Sequence, residues 1–145
     1  MQLFGVKPYL TPLRGWHLRA IDLQPSQAHM REWITDDFMD AIEHTLAYTA
    51  MAGGKVLACA GIAENEHIKR YAWALLSEGA RLAMLRATRA CLGVLSHEPE
   101  PVFTHVRADL RVNVKWLKLL GFAPTGTVDR MPDGHDMELW ARAPG

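Results

Sequence analysis

The sequence predicts an α/β (α+β) domain in which about four helices flank a central mixed β-sheet of about six or seven strands. Three observations carry this. Two apolar runs, Leu46–Ala52 and Lys55–Ala63, meet at Gly53-Gly54, and a two-glycine link between apolar runs marks a tight hairpin because type I′ turns need positive φ at both central residues. An apolar strand, Tyr71–Leu76, a helix-period segment, Ala80–Leu95, and a second strand, Val102–Val106, then follow in order, which by rule makes a right-handed parallel crossover. Finally, 145 residues with 49% hydrophobic and 22% charged side chains suit one globular domain, spanning the whole chain with a core from about Trp16 to Ala141, rather than a disordered segment.

The elements follow in order. Tyr9–Gly15 holds a proline and a glycine and reads as a leading loop. Trp16–Ile21 alternates apolar and polar residues and reads as a first strand. Pro25 suits the first turn of a helix, where its missing N–H costs nothing; Gln27–Ile34 and Asp37–His44 read as two short helices. Thr35 is the candidate cap between them, with Asp36 and Asp37 in the dipole-favoured first turn. The hairpin follows, then a polar loop, Glu64–Lys69, and the strand Tyr71–Leu76. In Ala80–Leu95, residues Ala80, Ala83, Ala87, Ala90, Cys91 and Val94 form one small apolar stripe, with Arg81, Thr88 and Arg89 opposite. Leu110–Leu120 is a helix whose solvated face carries Arg111, Lys115 and Lys118, and Gly121 is its expected left-handed C′ residue. Phe122–Val128 and Met137–Ala141 close the chain as strands about the turn Pro132-Asp133-Gly134.

Charge narrows the partners. Lys plus Arg and Asp plus Glu both total 16, for a formal net charge of zero, so no global field favours nucleic acid or an anionic membrane. No apolar run approaches a membrane span, and Met1–Leu13 lacks the apolar stretch of a signal peptide. The two cysteines, Cys59 and Cys91, lie in apolar segments and suit reduced, buried thiols in a cytoplasmic protein. The seven histidines show no zinc-ligand spacing, so no metal is expected. Five tryptophans are read mostly as core.

This element order, with Cys59-Ala60-Gly61 on the second hairpin strand, Trp73 on the next strand and the run Asn113-Val114-Lys115-Trp116-Leu117-Lys118-Leu119-Leu120-Gly121-Phe122, resembles the GNAT superfamily of N-acetyltransferases. The Trp-Leu-x-x-Leu-Gly-Phe helix ending is similar to a subgroup of small acetyltransferase-like proteins of phages and prophages, some of them internal virion proteins. The resemblance implies acetyl-CoA or coenzyme A held between Tyr71–Leu76 and Val102–Val106, its pantetheine arm paired with the backbone of Leu75 and Leu76. Its pyrophosphate would meet the helix start at Ser77, Gly79, Ala80 and Arg81, where orphan N–H groups and the helix dipole favour an anion. The family's phosphate signature is reduced here to Ser77-Glu78-Gly79-Ala80-Arg81, which reads either as a shortened cradle or as an ordinary turn with Ser77 capping. Glu78 would repel phosphate.

The family's usual tyrosine acid is replaced by Leu117. Catalytic help would then fall to His105 on the partner strand or to Glu64, with Glu66 and His67 in the same loop as further candidates. Two functions follow: acyl transfer from acyl-CoA to a small-molecule or protein amine, or a non-catalytic role with a virion or host protein as partner.

Overall fold

The structure, a computed structural model, describes residues 8–64, 70–78, 84–131 and 134–144. Its elements are β1 (Tyr9–Pro12), α1 (Gly15–Ala20), a 3-10 helix (Pro25–Trp33), α2 (Asp36–Glu43), β2 (Leu46–Ala52), β3 (Lys55–Ala63), β4 (Tyr71–Leu76), α3 (Met84–Leu95), β5 (Val102–Val106), α4 (Arg111–Leu119), β6 (Ala123–Arg130) and β7 (Asp136–Arg142). The strands form a seven-stranded mixed sheet in the order β1-β2-β3-β4-β5-β7-β6. The α/β class, the hairpin and the strand–helix–strand crossover are as the sequence predicts. The expected helix start at Ala80 lies outside the described residues; from Met84 onward the segment is helical. The chain groups into two compact units, Met1–Ala63 with Trp73–Ala87, and Glu64–Ala72 with Thr88–Gly145.

In the first unit β1, β2 and β3 pair antiparallel, in registers such as Tyr9↔Met51 and Tyr48↔Ala60. Gly53 (φ 56°) and Gly54 (φ 76°) make the hairpin turn in the left-handed region, where a side chain would be strained. The core joins Leu13, Leu18, Ile21, Leu23, Met39 and Ile42 to Ala47, Met51, Val56, Cys59 and Leu75 of the sheet. Thr35 caps α2, its side chain accepting from Phe38 N at 3.2 Å.

Two expectations fail at the start of this unit. Tyr9–Pro12 is strand β1 and not a loop, because pairing with Tyr48–Met51 satisfies its backbone at the sheet edge; an edge strand tolerates Pro12. Trp16–Ile21 is not a strand: it is mostly helix α1. The apparent alternation misleads because Trp16 is exposed, while the buried residues are Leu13, His17, Leu18 and Ile21, a helical spacing. His17 also accepts a hydrogen bond from Arg14 N at 2.9 Å, closing the first turn.

In the second unit β5 pairs antiparallel with β7, and β7 with β6; Tyr71 at the start of β4 is in parallel register with Phe103 of β5. Along β5, Val102, Thr104 and Val106 are buried while Phe103 and His105 are half-buried. Gly121 (φ 92°) ends α4: Phe122 N donates to Leu117 O and Gly121 N to Lys118 O, both at 3.0 Å, the Schellman pattern. Phe122 thereby enters the core. Thr88, expected to face away from the apolar stripe of α3, is half-buried and accepts from Trp116 Nε1 at 2.8 Å. Trp140 is buried in the core, as expected of most of the tryptophans, while Trp16 is 57% exposed.

Candidate functional site

Two clusters carry chemistry, one in each unit. In the second unit three side chains from three strands form a hydrogen-bonded line. The Tyr71 hydroxyl of β4 lies 2.7 Å from His105 Nδ1 of β5, and His105 Nε2 lies 2.8 Å from Asp129 Oδ2 of β6. Strand pleating explains the line: His105 is opposite Leu139 and Asp129 opposite Met137 on the intervening strand β7, so both project from the face shared by alternate residues of that strand. The His105 side chain is only 10% exposed, that of Asp129 47%. A carboxylate only accepts, so Asp129 takes the Nε2 hydrogen of neutral His105; Nδ1 is then the acceptor for the Tyr71 hydroxyl. Burial holds the Tyr71 phenol above its ordinary pKa, and the Asp129 charge pushes the same way against the hydrogen bond to His105. Tyr71 therefore keeps its proton at neutral pH, pointed at a base, while its oxygen lone pairs remain able to accept.

The second cluster lies in the first unit, on one edge of β4. Leu76 N donates to Gln27 Oε1 at 2.8 Å, and Gln27 Nε2 donates to Ala74 O at 2.8 Å. Gln24 N donates to Leu76 O at 2.9 Å and Glu78 N to Asp22 O at 3.3 Å, around a bridge between Leu23 and Ser77. The opposite edge is taken by β3: Ser77 N donates to Leu57 O at 2.9 Å. By the two-residue repeat of a strand, Leu75 turns its N–H and C=O to that same edge, and its side chain is buried in the core. Ser77 is buried, but among the described residues its hydroxyl has no hydrogen-bond partner, and Trp73 Nε1 is likewise buried and unpartnered among them. Glu78 is exposed.

The remaining sequence candidates fall as follows. Glu64 is exposed and ion-paired with Arg70 at 3.3 Å, while Arg70 Nε also lies 3.4 Å from the buried carboxylate of Glu98. Glu64 is therefore not part of the His105 line. Gly79, Ala80 and Arg81, with Glu66 and His67, lie outside the described residues. Leu117 is buried in α4, so that position offers no proton. Among the described residues no group of three or more His, Cys, Asp and Glu side chains could hold a metal ion, and no helix is long and apolar enough to cross a membrane. Sequence reasoning found His105 but missed Tyr71 and Asp129. Tyr71 stood inside an apolar strand and read as core, and Asp129 fell one residue beyond the strand expected to end at Val128. The neutral charge pattern held no signal for either, since only the β5–β7–β6 register brings them together.

Coenzyme A carries amides along an extended arm. The β4 edge presents one carbonyl, Ala74 O, and one N–H, Leu76 N, already engaged by an amide, that of Gln27. The donor set therefore fits such a ligand.

No family model matches the chain, and no curated protein matches it in sequence. Solved structures do match in fold. A GNAT-family acetyltransferase from Bacillus cereus is 13% identical over 96% of this chain and 99% of its own, with a TM-score of 0.66. An N-acetyltransferase from Staphylococcus aureus is also 13% identical, over 94% of this chain and 98% of its own, with a TM-score of 0.70. An aminoglycoside acetyltransferase solved with coenzyme A and kanamycin is 14% identical over 94% of this chain and 95% of its own, with a TM-score of 0.63. Likeness at such identities speaks for architecture and not for chemistry. The seven-stranded sheet, its strand order and these neighbours together give this chain the GNAT acyl-CoA N-acyltransferase fold.

Proposed function

We propose that the chain is an N-acyltransferase that moves an acyl group from a coenzyme A thioester to a small-molecule or protein amine, with Tyr71 handling the proton. The observation that carries this is the Tyr71–His105–Asp129 line. When bound, the thioester supplies an activated acyl carbon and a sulfur leaving group. Forming the new N–C bond and breaking the C–S bond requires the amine to shed one proton and the sulfur to regain one. Tyr71 Oη accepts the amine proton as its own hydrogen passes to His105 Nδ1. The imidazolium that results is paired with Asp129, which fixes the tautomer and offsets the charge. Running in reverse, the line returns one proton, so nothing is consumed. His105 and Asp129 are positioning residues; Tyr71 is the residue proposed to meet the substrate. Leu117 leaves this task to β4. The backbone of Ala74 and Leu76 would hold the cofactor arm, and Ser77, Gly79, Ala80 and Arg81 its phosphates.

A virion-associated or host-contacting role without catalysis, the other expectation of the sequence, would leave the three-residue line without a task. The test is thiol release from acetyl-CoA in the presence of a panel of polyamines, amino sugars and peptide N-termini. Amine-dependent thiol release that Tyr71→Phe lowers at least a hundredfold, about the lower bound for a positioned acid–base group, supports the proposal. Release that no amine stimulates, or that survives Tyr71→Phe unchanged, overturns it.

A further inference from the structure

We propose that Gln27 is a built-in, displaceable occupant of the cofactor's place on β4. Its carboxamide fills the rung that an N–H and a C=O of successive amides in the coenzyme A arm would fill, so the arm must evict it to bind. This rests on the cofactor reading above.

The geometry is that of a missing strand. In a parallel ladder a residue's N–H bonds one carbonyl of its neighbour and its C=O accepts the N–H two residues further on. On β4 those two groups are Ala74 O and Leu76 N. The single carboxamide of Gln27 meets both, Nε2 to Ala74 O and Oε1 from Leu76 N, each at 2.8 Å. The primary carboxamide, whose N–H and C=O lie on one side, thus imitates the N–H and C=O of one strand residue, and in an extended ligand an N–H and a C=O from two successive amides make the same pair of bonds.

Three features make the occupant displaceable. Gln27 is half-buried, so water can replace its partners once it leaves. It stands in a 3-10 helix, whose hydrogen bonds are poorer than those of an α-helix. The segment is also anchored without it. Arg31 bonds Leu18 O at 2.7 Å and also Ile21 O, while Gln24 N holds Leu76 O. The side chain can therefore rotate away while its backbone stays. Exchange of one amide for another conserves the hydrogen bonds, which keeps the barrier to binding low and makes Gln27 a control on affinity. Trp73 Nε1 of β4 and Ser77 Oγ just beyond it are buried and have no partner among the described residues.

The test is titration calorimetry with coenzyme A on wild type, Gln27→Ala and Gln27→Glu, with the wild-type side-chain amide of Gln27 followed by NMR. The glutamate keeps the bulk, loses the donor to Ala74 O and weakens the occupant without emptying the site. Both variants are expected to bind about tenfold more tightly, the equivalent of one to two net hydrogen bonds. In wild type, coenzyme A is expected to shift the Gln27 amide signals and speed their hydrogen exchange, a readout that does not depend on any variant folding. Equal or weaker binding by both variants, with the wild-type Gln27 amide unmoved by bound coenzyme A, overturns the occupant and leaves the cofactor reading standing. No binding by any of the three proteins at millimolar coenzyme A overturns the cofactor reading, and the occupant with it.

Discussion

Gly121→Ala tests how the chain turns from α4 into the core. Gly121 has φ 92°, and an L-residue in the left-handed region costs roughly 1–2 kcal/mol. The new Cβ would also stand 3.1 Å from Arg142 Nε. That nitrogen donates to Leu120 O at 2.8 Å, and another nitrogen of the same guanidinium donates to Leu95 O at 3.1 Å. Arg142 must therefore give way, and weakening a half-exposed charge-assisted bond adds about 1 kcal/mol. The sum, about 2–3 kcal/mol, corresponds to roughly 4–10 °C in Tm for a chain of this length. Urea unfolding is the assay: the midpoint should fall while the slope stays constant, since a lowered midpoint at constant slope reports stability alone. In an Arg142→Ala background the glycine substitution should cost only the backbone part, about 1–2 kcal/mol. Coincident midpoints for wild type and Gly121→Ala would refute the cap, and an undiminished cost in the Arg142→Ala background would refute the clash.

Burial is the first cause that lowers the His17 pKa, the Arg14 charge acts the same way, and Glu43 opposes both. The folded state thus prefers neutral His17, and its contribution is full above pH 6.5 and is lost as pH falls through the histidine range; His17→Gln should flatten that limb of the stability–pH curve. Burial pushes both Cys59 and Cys91 thiols up to about 11, so native protein at pH 8 should react with a disulfide reagent about two orders of magnitude more slowly than unfolded protein. Rapid native labelling of Cys59 would contradict its burial, and of half-buried Cys91 its raised pKa. Removing the cap hydroxyl by Thr35→Ala should lower the urea midpoint by the equivalent of about 1 kcal/mol.

The parts of the fold legible in the sequence are those set by local chemistry. Gly53-Gly54 demanded a turn, Thr35 a helix start and Gly121 a helix end, and each stands where the residues put it. The stretch Tyr9–Ile21 was misread because edge pairing and packing decided it. Pro12 sits harmlessly on an outer strand, and exposed Trp16 imitated a buried alternation. The site was half legible. His105 stood out as a polar residue inside an apolar strand, but its partners Tyr71 and Asp129 lie 34 and 24 residues away, and only strand order and register bring them within reach. Gln27 was further from view still. Nothing in a glutamine on a short helix announces that its carboxamide completes another strand's ladder.

The central claim is that Tyr71 moves a proton through His105, held by Asp129. Steady-state kinetics of acetyl transfer by Asp129→Asn tests it most directly, because this change keeps the shape of the line and removes the charge that fixes the His105 tautomer. The account predicts that kcat falls by about one hundredfold or more, within the range of acid–base contributions. It also predicts that KM for acetyl-CoA stays near its wild-type value and that Asp129→Glu restores part of the rate. An unchanged kcat, or a loss confined to KM, would contradict it.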